Sequence, residues 1–299
     1  NFIKRKGLMV NPEKKKFWDE CTLKHEDDQW YEDHPMAHTV IWSPRMQRDS
    51  YAKVYFAEEK TNKWAMVVHG YTDTPKTMVR QIRQYLEWGF NVCVPILVGH
   101  GMDKGRYTSM SFYDRFIVLD WLDYVIEHDP DAEIVIHGVS MGAATTMLYA
   151  HTDPRISCVV MDSPFADFHE LAKQLTLAKV KLPNFVLETA LAIIRQTIKK
   201  KNGMDINKLK PIEACDKPNP PGLFIHALQD EMVPIEHSLR LNQRYNGEKS
   251  LVSCKGGHNS PRPKMVIQRI QRFLCKHLKG EDTLIDDKKE EEYLIQNNM

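Results

Sequence analysis

A serine, an aspartate and a histidine, at positions 140, 230 and 258, have types and surroundings that add up to one chemistry. A serine hydroxyl is a weak nucleophile until a base takes its proton. An imidazole does this best when a carboxylate orients it and stabilises its cation. Ser140 sits in Gly138-Val139-Ser140-Met141-Gly142, after the apolar run Glu133-Ile134-Val135-Ile136-His137 and before a helix-like run, Ala143 to Ala150. A G-x-S-x-G pentapeptide in that place is a strand-to-helix turn so tight that glycine is needed on both sides of the serine. The turn lifts the hydroxyl out of the sheet and over a helix N-terminus. Asp230 follows the apolar run Leu223–Leu228, and His258 follows Ser250–Cys254. Serine, acid, histidine is the chain order such a sheet supplies, each residue from a loop at the carboxyl end of a strand. The chemistry is acyl transfer, with Ser140 attacking a carbonyl, His258 as base and then acid, and Asp230 behind it. Glu231 is the substitute acid if Asp230 points away.

The oxyanion formed by that attack needs two N–H donors. One is expected from Met141, the residue after the serine. The other is expected from Tyr71, in the loop His69-Gly70-Tyr71-Thr72 after the apolar run Trp64–Val68. Gly70 allows the close backbone approach, and His69 is read as a support of that loop.

These residues need a sheet to hold them. Strand-like segments at His38–Trp42 and Tyr51–Phe56 are followed by short apolar runs at Trp64–Val68, Phe90–Val94, Glu133–His137, Ile156–Met161, Leu223–Leu228 and Ser250–Cys254. Helical patterns lie between them, near 75–88, 112–128, 235–246 and 262–278. In the second, Phe112, Phe116, Leu119, Leu122, Val125 and Ile126 align as the apolar face. Short strands that are apolar throughout, alternating with helices, predict an α/β fold with a mostly parallel sheet covered on both faces. The domain division follows: a lead-in over 1–37, a core over 38–163 and 213–280, an insertion over 164–212 and a polar tail over 281–299. The insertion reads as two helices, near 165–180 and 184–200, broken at Pro183. Phe185, Val186, Ala190, Ile193, Ile194 and Ile198 give the second a wide apolar surface. Placed over the carboxyl ends of the strands, where ligands bind, it is expected to act as a lid.

The 299 residues suffice for one large α/β domain or two smaller ones, and the formal charge of +1, from 41 basic and 40 acidic residues, gives no reason to expect nucleic acid. The six cysteines contain no C-x-x-C pair and are read as reduced, which favours a cytoplasmic setting. No apolar run reaches membrane-span length. Lys4-Arg5-Lys6 and Lys14-Lys15-Lys16 read as a solvated basic start, and an anchor or signal upstream of Asn1 stays open. The spacing of His25, His34 and His38 fits no metal-ligand set, and no metal or other cofactor is expected.

The motifs His69-Gly70-Tyr71-Thr72, Gly99-His100-Gly101, Gly138-Val139-Ser140-Met141-Gly142, Ile225-His226-Ala227-Leu228-Gln229-Asp230 with Val233-Pro234, and Gly257-His258 span roughly residues 40 to 278. Together they resemble α/β-hydrolases of the serine aminopeptidase-like and prolyl oligopeptidase-like group, and uncharacterised bacterial esterase-like members within it. The resemblance implies an eight-stranded sheet, the triad, two oxyanion donors and a variable cap. Two positions depart from it. Ile96-Leu97-Val98-Gly99-His100-Gly101 lacks the Asp and Arg of the D-x-R-G-H-G stretch common in relatives, which removes any substrate contact through that arginine. Ala227 stands where a glycine is common. The expected activity is a cofactor-independent serine hydrolase acting on carboxylic esters. A peptidase on short peptides or acyl-aminoacyl substrates, and a non-catalytic binder on the same fold, are the alternatives.

Overall fold

The eight strand-like segments all enter one sheet. The computed structural model describes residues 24–36, 38–181 and 183–278. The basic segments at 4–6 and 14–16, Phe17, Trp18, Cys21 and the tail over 281–299 lie outside these residues. The strands are β1 (His38–Ser43), β2 (Arg48–Tyr55), β3 (Lys63–Val68), β4 (Asn91–Pro95), β5 (Glu133–Val139), β6 (Ile156–Asp162), β7 (Gly222–Ala227) and β8 (Lys249–Cys254). Their order is β1-β2-β4-β3-β5-β6-β7-β8. The first hairpin is antiparallel and joins the sheet antiparallel to β4, and every later pairing is parallel.

The helices are α1 (Lys24–Asp33), α2 (Val79–Glu87), α3 (Asp114–His128), α4 (Met141–Tyr149), α5 (Phe168–Leu177), α6 (Asn184–Asn202), α7 (Pro211–Ala214), α8 (Glu236–Arg244) and α9 (Lys264–His277). Side chains alternate across each strand, so the sheet has two apolar faces. Trp64, Met66, Val68, Ile134, Ile136 and Met161 face α3, α4 and α8. Ala65, Val67, Val135, Val160 and Ile225 face α2 and α9. With both faces covered, β3 to β7 need apolar residues at successive positions, the pattern that reveals them in the sequence. None of the helices among the described residues is long and apolar enough to cross a membrane.

The buried face of α3 differs from the one the spacing suggests. It carries Ile117, Val118, Trp121, Leu122 and Val125, together with Asp114 and Asp120, while Phe112, Phe116, Leu119 and Ile126 are only half-buried. Both aspartates are tolerated there because each is matched. Asp114 accepts from the Val98 N–H (2.8 Å), the Ser111 N–H (2.7 Å) and the Ser109 hydroxyl (2.5 Å). Asp120 accepts from Ser43 and Arg45. A buried carboxylate is costly without such partners.

Residues 164–212 hold α5 and α6. Gly203, at φ 69°, takes the left-handed conformation that ends α6. Leu187 is the one buried residue of α6. The apolar surface expected on this helix points outward, with Phe185 74%, Ile193 61% and Ile194 51% exposed. The base of the segment is anchored: Phe165 and Leu171 pack with Val233 and with Ala144 of α4.

Candidate active site

Ser140 lies between the last residue of β5 and the first of α4, at φ 53° and ψ −115°. A non-glycine residue in this region carries about 1–3 kcal/mol of strain, kept because the surroundings over-determine it. The Ser140 N–H donates to the Asp162 carbonyl at 2.7 Å, and the Ser140 carbonyl accepts from Ala144 at 3.1 Å. The two flanking glycines explain themselves. A Cβ on Gly142 would sit 2.0 Å from the Val68 carbonyl oxygen, and one on Gly138 would sit 2.5 Å from the Gly142 oxygen. The elbow can be this tight only if neither residue has a side chain.

The three residues singled out in the sequence meet at the carboxyl edge of the sheet. His258 Nε2 lies 2.9 Å from Ser140 Oγ, and His258 Nδ1 lies 2.7 Å from Asp230 Oδ2. The carboxylate can only accept, so the imidazole proton sits on Nδ1 and Nε2 is free to take the hydroxyl proton. Asp230 Oδ1 accepts from the N–H groups of Met232 (2.9 Å) and Val233 (2.8 Å). Burial alone would raise the Asp230 pKa. The hydrogen bond and charge of His258, with the two backbone donors, outweigh burial and hold it below the ordinary carboxylate range. Glu231 does not take the acid's place. Its Oε2 accepts from the His258 backbone N–H at 3.3 Å, which fastens the histidine loop rather than the ring.

His226 stands behind Asp230. It bridges the Val233 carbonyl (2.8 Å) and the Ser238 hydroxyl (2.6 Å), with Nε2 3.4 Å from Asp230 Oδ2. Burial lowers its pKa, so a neutral ring braces the acid loop. Ala227 is fully buried in β7, where its methyl is accommodated.

The loop expected to supply the second oxyanion donor passes close to the serine. A Cβ on Gly70 would lie 3.4 Å from Ser140 Cβ. Two buried histidines fix this loop to the one after β4. His69 Nδ1 donates to the Gly70 carbonyl (2.8 Å), while its Nε2 accepts the Leu97 N–H (3.1 Å). His100 Nδ1 donates to the Val98 carbonyl (3.0 Å), while its Nε2 accepts the Thr72 N–H (3.2 Å). Burial pushes the His69 pKa down to about 4, so the ring serves as a neutral clamp. Tyr71 is exposed at the rim, and Met141 is buried as the first residue of α4, where a helix leaves its N–H groups unbonded. His100 thus has a structural use in a Gly-His-Gly stretch that lacks the arginine.

One residue of this region escaped the sequence reading. Arg262 is 8% exposed at its side chain and forks onto Asp162, with Nε–Oδ2 at 2.8 Å and Nη2–Oδ1 at 2.6 Å. It also donates to the carbonyls of Gly257 (3.3 Å), His258 (3.2 Å) and Ser260 (3.1 Å). Burial alone would raise the Asp162 pKa, but the Arg262 charge and its hydrogen bonds hold it below the ordinary range. The carbonyl of the same Asp162 receives the Ser140 N–H. One guanidinium therefore ties the histidine loop to the strand end that holds the serine. The available signal is Pro261-Arg262-Pro263: an arginine followed by proline is restricted to extended backbone.

The family model for serine aminopeptidase, S33, matches residues 59–214, just over half of the chain. The chain belongs to the serine aminopeptidase S33 family. The match contains Ser140 and the Tyr71 loop and ends before Asp230 and His258. Among curated relatives of this S33 member, the uncharacterized protein YqkD of Bacillus subtilis is 28% identical over 257 residues, covering 82% of each chain. The thermostable monoacylglycerol lipase of Bacillus sp. strain H-257 is 24% identical over 231 residues, covering 71% of this chain and 90% of the lipase. Among solved structures, the Pyrococcus furiosus esterase Pf2001 superposes with a TM-score of 0.65 at 18% identity, covering 83% of this chain and 95% of the esterase. The S33 chain is thus an α/β-hydrolase in fold and a hydrolase by family.

Proposed function

We propose that this S33 hydrolase cleaves carboxylic esters through an acyl-enzyme. Ser140 attacks the carbonyl while His258 Nε2 takes its proton, and Asp230 orients and stabilises the imidazolium. The N–H groups of Met141 and Tyr71 hold the tetrahedral oxyanion. His258 then gives its proton to the leaving alcohol, and water, activated by the same histidine, releases the acyl group. The observation that carries this reading is the unbroken chain Ser140 Oγ–His258 Nε2, 2.9 Å, and His258 Nδ1–Asp230 Oδ2, 2.7 Å. The likeness to a monoacylglycerol lipase favours an ester with an apolar acyl chain. So do the apolar side chains of residues 164–212, which we read as a lid whose foot packs on Val233, beside the acid loop. Free thiols at Cys93, Cys158, Cys215, Cys254 and Cys275 support a reducing, cytoplasmic setting.

The test is labelling with a fluorophosphonate, followed by hydrolysis of p-nitrophenyl esters of increasing chain length. Labelling that disappears in Ser140→Ala, with ester turnover faster than release of an aminoacyl anilide, is the expected result. A folded wild type that neither labels nor turns over any ester overturns the reading.

A further inference from the structure

Exposed apolar surface is concentrated at one edge of this molecule. Among the described residues, Tyr71, Met102, Tyr107, Leu228 and Met232 are large apolar side chains standing in solvent, each in a loop that leaves the carboxyl end of β3, β4 or β7. These strands run parallel, so their carboxyl ends share an edge. The segment over 164–212 leaves the same edge after β6 and adds Val180, Phe185, Val186, Ile193 and Ile194. On α6, Val186, Ala190, Ile193 and Thr197 recur at helical spacing along one exposed face, and Lys200 and Lys201 continue it by a turn.

Charge is as unevenly placed as polarity. Residues 177–202 carry six basic side chains and one acidic, in a chain whose formal charge is +1, so the remainder is net acidic. The one acid, Glu188, is already held by Lys173 at 2.7 Å and His169 at 3.2 Å. Lys199 pairs with Asp205 at 2.8 Å, and Arg195 donates to Asn207 at 3.0 Å. Lys179, Lys181, Lys200 and Lys201 are left exposed and without an ion pair among the described residues. Lys179 and Lys181 bracket the exposed Val180, while Lys200 and Lys201 close the apolar stripe of α6. A contiguous exposed apolar stripe marks a surface that something covers. The core of a protein interface is depleted of lysine, and a second copy of this chain would bring the same positive excess against itself. Apolar side chains flanked by lysines match an anionic bilayer, whose acyl region takes the first and whose headgroups take the second. Lysine stems lie along such an apolar layer with the ammonium at the phosphates.

We propose that the exposed face of α6, with the turn that precedes it, is a docking surface for anionic phospholipid membranes. The helix lies flat on the bilayer. Phe185, Val186 and Ile193 enter the boundary between headgroups and acyl chains, and Lys179, Lys181, Lys200 and Lys201 meet the phosphates. The contact is peripheral and reversible, because it is made by one face of a helix and not by a span. The inference is independent of the proposed ester chemistry, since none of these contacts involves Ser140, Asp230 or His258.

The full chain carrying Ser140→Ala is floated with vesicles of phosphatidylcholine alone and of equal parts phosphatidylcholine and phosphatidylglycerol. The anionic vesicles are expected to bind at least about 10-fold more tightly, and raising NaCl from about 0.05 to about 0.5 M should weaken that binding about 10-fold. Lys200→Ala combined with Lys201→Ala should cost about 10-fold on the anionic vesicles, and Ile193→Glu at least as much. Trp42→Ser removes a side chain from β1 that is as exposed as Ile193, at 60% against 61%, and should leave binding unchanged. Equal binding to the two vesicles, no binding to either, or a loss in Trp42→Ser that Ile193→Glu does not show overturns the proposal. So does a lipid-free dimer in sedimentation velocity that Ile193→Glu disperses, which assigns the face to a second copy. None of these outcomes bears on whether Ser140 is a nucleophile.

Discussion

The carboxyl edge of the sheet and the segment over 164–212 are built by opposite rules. At the edge, side chains are buried and each is held by several partners: Asp230 by three donors, Asp162 by Arg262, His69 and His100 by opposed backbone groups. In α6, one residue of nineteen is buried, and the large apolar side chains face outward. Reacting atoms must be held within a fraction of an ångström, and only a packed sheet edge does that. A helix that contributes little to the core is free to vary or move without disturbing them. The comparison teaches where the proposed roles would fall: the acyl-transfer chemistry on the densely held edge, and substrate choice on the loosely anchored segment.

Five measurements can break or sharpen that contrast. Ser140→Ala should lower kcat by on the order of 10⁶-fold with an unchanged melting curve; a small loss would remove the edge from the chemistry altogether. Gly142→Ala should prevent folding or cost more than about 4 kcal/mol, because no rotamer relieves a Cβ 2.0 Å from the Val68 oxygen. Chemical denaturation of the purified variant measures this directly. Arg262→Met leaves Asp162 buried and unpaired, which should cost about 3–5 kcal/mol and, by loosening the histidine loop, on the order of 10²-fold in kcat with little change in KM. Arg262→Lys should restore part of both, since it keeps the charge and loses the fork.

Acid titration comes next. Burial holds His69 and His137 at about 4 in the folded chain, below their ordinary value near 6.5. Between those values the unfolded chain binds protons that the folded chain does not, so stability should be full above about pH 6.5 and fall toward pH 4. The slope is up to about 1.4 kcal/mol per pH unit for each histidine. The depressed carboxyls of Asp162 and Asp230 add a further loss only below the ordinary carboxylate range. Urea midpoints at pH 7, 5.5 and 4.5 test this. Smallest of all, Phe185→Ser and Ile193→Ser should change stability by less than about 0.5 kcal/mol. They should raise KM for long-chain esters several-fold and leave acetate hydrolysis alone. A large stability loss from either would erase the distinction between the regions.

The strands were legible because a sheet covered on both faces demands consecutive apolar residues. The meeting of Ser140, Asp230 and His258 was legible because each lies in the turn or loop at the carboxyl end of a strand. Arg262 was not. In sequence it is an arginine in a proline-bounded loop, ordinarily a surface residue, and what buries it is Asp162, brought alongside by the parallel pairing of β5 to β8. The face of α3 was misjudged for a related reason: spacing weighs Asp114 and Asp120 as solvent-facing until Ser109, Ser43 and Arg45 are known to meet them. The apolar stripe of α6 was legible as a stripe, but periodicity reports that a face is apolar and not what covers it.

The pairing of Ser140 with His258 spans 118 residues, and that of Asp162 with Arg262 spans 100. A ribosome makes the serine first, and at about 5–20 residues per second the histidine follows roughly 6–24 seconds later. During that interval the elbow has no base and its strand end has no guanidinium to secure it. On the proposed mechanism the nascent chain is inert toward acyl groups until the loop after the last strand brings His258 to the serine, so completion of folding is the switch that turns the chemistry on.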